Sequence, residues 1–254
     1  MSTTIAISGK GGSGKTTLAG LTVRTLVERT GRAVLAVDAD PNACLGPLLG
    51  IEPETTVGEI RDAALDRTLQ TGPGVDRQRA VEYAIHRAVA EADGFDLLTM
   101  GHTEGPKCYC AVNHLLRKYL DQASSDYRWV VLDNEAGMEH LSRRTTDAVD
   151  LLIVAAEPTP MGARTARRIL GLSERLPVTI KRKGIVWNKV TDPDRLNVLA
   201  DDLPTLATVP FDQALAEASM AGTPVFDLPA DCRALEAVGA ALGEALGIEA
   251  PQPS

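Results

Sequence analysis

The chain has 254 residues, 44% of them hydrophobic, which is enough to bury one α/β core; nothing in that length demands a second domain. Its formal charge of −8 excludes a broad polyanion-binding face, because phosphate backbones are gripped by clustered Lys and Arg. The N-terminal MSTTIAISGK has no basic region leading into a long apolar one, and the four cysteines are too few for a disulfide framework, so a soluble cytoplasmic protein with reduced thiols is expected.

Apolar runs rich in β-branched residues recur along the chain: TIAIS, AVLAVD, FDLLTM, WVVLD, LLIVAA, GIVWN and LATVP. They do not alternate polar with apolar, and helical stretches separate them, which describes buried parallel strands. The predicted architecture is a doubly wound, mostly parallel sheet flanked by helices, one domain over residues 1–254. QTGPGVD (70–76) reads as a surface turn and APQPS as a frayed tail.

The first strand runs into GKGGSGKTT, which matches G-x-x-x-x-G-K-[ST] from Gly9 through Gly11, Gly12, Ser13, Gly14, Lys15, Thr16 and Thr17. Glycines let successive N–H groups turn into one concavity, and the N-terminus of the following helix adds positive potential for phosphate oxygens. Lys15 is placed to pair with β and γ phosphates, and Thr16 to ligate Mg²⁺. The second strand ends in VDADPN, setting Asp38 and Asp40 where open α/β sheets bind their ligands. RWVVLDNEAG brings Asp133 to a strand terminus as a carboxylate that can hold Mg²⁺ through water, with Gly137 a short polar loop away. WNKV follows another strand; its fourth position is Thr191 and not the carboxylate that reads guanine, which favours ATP over GTP.

Between these motifs lies GPKCYC, with Cys108 and Cys110 at the start of a stretch whose apolar residues fall at 3–4 spacing, opening a C-x-C metal-binding segment at 105–114. A helix N-terminus and the neighbouring Lys107 favour the thiolate, the form that binds soft and borderline metals. Two sulfurs fill half of a tetrahedral site; if two copies meet across a two-fold axis near this segment, the second copy supplies the other half. His114 sits one turn on and either joins that site or serves as a structural histidine. Cys44 and Cys232 are read as packing residues.

The second lysine of the loop, Lys10 in KGGSGKT, resembles the deviant phosphate loop of the ATPases that include partition and division-site proteins, the nitrogenase iron protein and metallocentre maturation factors. That resemblance implies a nucleotide-sandwich homodimer in which Lys10 reaches the partner's phosphates. It also implies that Asp40 orients the attacking water, Asp38 belongs to the metal shell and Gly137 contacts the γ phosphate. Asn188 and Pro210 would then border the adenine. With EGPKCYC and DNEAGMEHLSRRT added in order, nearly the whole chain is similar to the nickel-insertion ATPases that mature carbon monoxide dehydrogenase or acetyl-CoA synthase. In that family paired cysteines of two protomers bind Ni²⁺ or Zn²⁺, and ATP turnover loads the client enzyme. Asn134-Glu135 replaces the threonine-proline pair of many wider relatives, and Lys107 stands where closer ones often carry glycine.

Three other readings remain open. A spatial-organisation ATPase needs a basic amphipathic anchor, and ALEAVGAALGEALGIEAPQPS contains no Lys or Arg, so neither membrane nor nucleic acid is expected as a partner. An electron-transfer protein like the nitrogenase iron protein needs two separated cysteines per chain, and NEAGMEHL holds none. A metal store that uses nucleotide only to shape a dimer is the non-enzymatic reading.

Overall fold

The computed structural model describes residues 2–66, 77–102, 118–119, 126–135, 148–200 and 202–249. Each apolar run forms a strand: β1 (Thr3–Gly9), β2 (Val34–Ala39), β4 (Phe95–Thr99), β5 (Trp129–Asn134), β6 (Ala148–Ala156), β7 (Thr179–Val190) and β8 (Thr205–Pro210). They lie in one sheet ordered β3-β4-β2-β5-β1-β6-β7-β8, parallel apart from the two-residue edge strand β3 (Ala90–Glu91), which pairs antiparallel with β4. The doubly wound sheet is as expected, and β3 is an addition too short for any sequence period to reveal.

Alternation along the strands feeds two cores. On β1, Ile5 and Ile7 face one side and Ala6 the other; on β5, Trp129 and Val131 oppose Val130 and Leu132. The first side is covered by α1 (Lys15–Thr30), α2 (Leu45–Leu49) and α8 (Arg233–Leu246). The second is covered by α3 (Val57–Leu65), α4 (Arg77–Arg87) and α5 (Pro160–Ser173). Two further helices, α6 (Pro193–Ala200) and α7 (Gln213–Ala221), flank β8 in the chain. Among the described residues no helix is long and apolar enough to cross a membrane.

One buried cation ties the phosphate-loop helix to the C-terminal part of the chain. Arg24 on α1 is 5% exposed; its Nη1 donates to the carbonyls of Val225 (2.6 Å) and Leu228 (2.8 Å), and its Nε pairs with Glu28 at 2.6 Å. Both carbonyls belong to buried residues, so losing the guanidinium strands two acceptors away from water. Arg24→Met is therefore expected to destabilise the fold by about 2–4 kcal/mol, read as a lower urea midpoint at unchanged m-value.

Candidate nucleotide and cation site

The site is built at the C-terminal edge of the central strands. β1 ends at Gly9, where a Cβ would lie 2.5 Å from the Ala155 carbonyl oxygen, so only glycine lets the loop leave the sheet here. Ser13 donates from both its amide (3.2 Å) and its hydroxyl (2.8 Å) to the Lys10 carbonyl, closing the turn. Gly14, at φ 87°, caps α1, and its missing Cβ makes room for the Asn188 amide, 2.2 Å from where that atom would be. Lys15 and Thr16 then open the helix, with Lys15 only 8% exposed, while Lys10 points its exposed side chain outward.

Register brings the acidic residues under that helix start. Asp38 pairs with Asp133 across β2 and β5, and strand alternation turns both toward the α1 side. Asp38 is completely buried; its Oδ1 accepts the Asp40 N–H (3.1 Å) and its Oδ2 the Leu45 N–H (2.8 Å), bracing the loop between β2 and α2. Burial outweighs these donors and lifts its pKa to about 6. Asp133 is 1% exposed, and among the described residues neither of its oxygens has a hydrogen-bond partner of good geometry. Burial raises it to about 7, aided by the charges of Asp38 and Asp40 and opposed by the Thr16 hydroxyl and the Lys15 ammonium. Two adjacent buried carboxylates beside a lysine and a hydroxyl form a donor set suited to a hard cation.

Asp40, half-buried, accepts the Asn42 backbone N–H at 2.9 Å and side-chain amide at 2.8 Å through Oδ1 alone. Next to it Cys44 is exposed and not packed, a correction to its expected role; it tops the short helix α2, where its thiol donates to the Asn42 carbonyl at 3.6 Å. Partial burial and the neighbouring Asp38, Asp40 and Asp133 push that thiol's pKa up, so it resists ionisation. Cys232 is buried, as expected.

On the base side, Asn188 donates from Nδ2 to the Ser13 carbonyl and accepts the Lys189 N–H on Oδ1, each at 3.0 Å, so the expected adenine contact residue also clamps the phosphate loop. Pro210 ends β8 opposite Val190, and Phe211 donates its N–H to the Val190 carbonyl at 2.9 Å. Two further polar residues complete the frame. Asn134 Nδ2 donates to the Ile7 carbonyl at 3.0 Å, pinning β5 to β1. Asp212 caps α7 through the Leu215 N–H and holds the start of α8 through the Arg233 N–H. Burial alone would raise the Asp212 pKa, but those donors and Ala234 hold it below the carboxylate norm. The sequence marked Asn134 only as half of the pair with Glu135, and Asp212 not at all, because a lone polar residue at a strand end carries no sequence period. Cys108, Cys110, Gly137 and His114 lie outside the described residues, as do QTGPGVD and the start of the helical stretch after GPKCYC.

Comparison with known proteins agrees with this frame. The model of the CobQ/CobB/MinD/ParA nucleotide-binding domain matches residues 4–225. The chain belongs to this family. It is an ATP-binding ATPase of the MinD/ParA type. Among relatives, it is 39% identical to an uncharacterised ATP-binding protein of Methanocaldococcus jannaschii, over 89% of this chain and 91% of that one. It is 34% identical to the carbon monoxide dehydrogenase accessory protein CooC of Rhodospirillum rubrum, over 96% of this chain and 97% of that one. Solved structures share the fold. The septum site-determining protein MinD of Pyrococcus horikoshii, complexed with Mg-ADP, superimposes with a TM-score of 0.69 at 21% identity, covering 97% of this chain and 96% of that one. A ParA family ATPase of Chlorobium tepidum reaches 0.71 at 20% identity, covering 97% of this chain and 99% of that one.

The raised carboxylates give the family member a pH signature. A folded-state pKa above the unfolded value means the fold holds a proton that the unfolded chain releases above about pH 4. The contribution is therefore fully present below about pH 4 and is lost as pH rises through about 6 for Asp38 and about 7 for Asp133. Without nucleotide and Mg²⁺, melting temperature should fall with rising pH across that window, and Asp133→Asn should flatten the fall; an unchanged slope in that variant contradicts the assignment.

Proposed function

We propose that the protein is an ATP-hydrolysing metallocentre maturation factor that loads nickel into carbon monoxide dehydrogenase or the related acetyl-CoA synthase. The observation that carries this reading is the 34% identity across nearly full length to a carbon monoxide dehydrogenase accessory protein, in a chain that also bears the C-x-C of GPKCYC. The MinD and ParA structures, near 20% identity, speak to the fold alone. A spatial-organisation role is further disfavoured by α8, whose apolar residues Ala234, Leu235, Val238, Ala241 and Leu242 are buried in the core and not offered to a membrane.

ATP sits with its phosphates on the amides of residues 10–16 and the Lys15 ammonium, its base between Asn188 and Pro210. Mg²⁺ fits the donor set: the Thr16 hydroxyl and the Asp133 carboxylate, whose oxygens have no hydrogen-bond partner of good geometry among the described residues, would hold it, with Asp38 beside them. When bound it neutralises charge building on the β and γ phosphate oxygens. Asp40, with Oδ2 taking no donor among the described residues, orients a water for in-line attack on the γ phosphorus, and the bond to the β-γ bridging oxygen breaks to release ADP and phosphate. Lys10 and Gly137 contribute in the dimer, Lys10 across to the partner's phosphates. Nickel or zinc is the cargo, held between the Cys108 and Cys110 thiolates of two protomers and released as hydrolysis relaxes the dimer.

Metal titration with sizing, with and without ATP, tests this on wild type, Cys108→Ser, Cys110→Ser and Lys10→Ala. One tight divalent ion per dimer is expected, about tenfold or more weaker in either serine variant, with Lys10→Ala losing the ATP-dependent dimer. One ion per monomer, retained without both cysteines, contradicts the shared site.

A further inference from the structure

The two lysines around the outer face of the phosphate loop are employed differently. Lys10 and Glu157 line one cleft, with Gly11, Ser13, Thr159 and Gly162. Glu157 nevertheless pairs elsewhere: Lys189 Nζ donates to Glu157 Oε1 at 2.8 Å and to the Gly12 carbonyl at 3.0 Å. Among the described residues no carboxylate pairs with Lys10.

Lys189 reaches this position through local distortion. From Trp187 to Val190, β7 spends one residue more than the facing Thr208 to Pro210 of β8, a bulge that re-aims side chains at the strand end. Lys189 occupies it at φ 58°; among the described non-glycine residues only Ala43, at 52°, shares a positive φ. Such a conformation is strained for a residue with a side chain and persists where surrounding contacts over-determine it. The contacts here are the Asn188 side chain on the Lys189 N–H, the Gly12 carbonyl and Glu157. The Lys189 and Glu157 side chains are 47% and 43% exposed, so their bond adds little stability; its effect lies in where it holds a negative charge.

We propose that Lys189 is a positioning residue that keeps the Glu157 carboxylate off Lys10, leaving the Lys10 ammonium available beyond its own protomer. The inference rests on the reading of Lys10 as the lysine that serves the partner's phosphates. Without Lys189, the cation that shares a cleft with Glu157 is Lys10, and pairing within the protomer then competes with reaching across.

The test uses the full chain as wild type, Lys189→Met, Glu157→Gln, the double variant and Lys189→Arg, each checked for folding by circular dichroism. The rate at which an amine-acylating reagent labels Lys10, followed by peptide mass spectrometry without nucleotide, reports ion pairing independently of any dimer. Labelling should slow about three- to fivefold in Lys189→Met, the scale of an exposed ion pair, and return to the wild-type rate when Glu157→Gln is added. Lys189→Arg should label as wild type. In Lys189→Met the protein concentration giving half-maximal specific ATPase activity should rise by a similar factor with little change in KM for ATP, and recover in the double variant. Unchanged labelling in Lys189→Met, or a double variant as slow as the single one, overturns the proposal, since Lys189 would then act through Gly12 alone. Failure of the Lys10 reading shows separately, as a concentration dependence that Lys10→Ala does not move.

Discussion

Two carboxylates on neighbouring strands, both removed from water, are the constraint around which this molecule is arranged. Asp38 and Asp133 sit opposite each other in the parallel register, and each would repel the other's charge in the low dielectric between sheet and helix. The fold answers them unequally. Asp38 receives two backbone N–H groups and becomes the brace of the loop that carries Asp40, whereas Asp133 has no partner of good geometry among the described residues, and burial lifts its pKa to about 7. A buried carboxylate left so, beside a lysine and a hydroxyl, is what the proposed metal of a bound nucleotide would satisfy.

The rest of the frame keeps that unfavourable arrangement in place. Asn134 fastens β5 to β1, Asn188 fastens β7 to the phosphate loop, and Arg24 fastens the helix that begins at Lys15 to the segment ahead of α8. Each is a short polar or charged side chain donating to a carbonyl, so each leaves an unpaired acceptor behind if removed. The loop itself is free of large side chains between Gly11 and Gly14, which lets its amides approach phosphate oxygens. These ties around the loop describe a phosphate-binding backbone that is pre-organised for its substrate.

Family membership and the proposed cargo stand at different depths. The assignment as a nucleotide-binding ATPase follows from a family match over residues 4–225, and the strand register brings Asp38 and Asp133 together beside the phosphate loop. The nickel reading comes from a relative of known purpose and a pair of thiols one residue apart. In the proposed function the two would meet in a dimer: four sulfurs would complete a tetrahedral site only with two chains facing each other, and a lysine serving a second active site would require the same assembly. One two-fold axis would thus couple hydrolysis to the geometry that holds the metal.

The seven principal strands were legible because buried parallel strands need unbroken β-branched runs, and the phosphate loop because its glycines and Lys15-Thr16 serve a backbone geometry few sequences need. Asp38, Asp40 and Asp133 were legible as strand-end carboxylates. Their division of labour was not, since it depends on which N–H groups the folded loop turns toward each one. Cys44 was misread because its apolar neighbours in sequence lie on the buried side of a one-turn helix while its own side chain faces out. Glu157 and Lys189 are 32 residues apart, and only the adjacency of β6 and β7 with a one-residue bulge brings them together at Gly12. The sequence by itself determined the fold class, the phosphate loop and the chemistry available, because these depend on local pattern. Tertiary structure alone decided which carboxylate stays unpaired and which lysine stays free, because partnership is set by register across strands that the chain visits far apart.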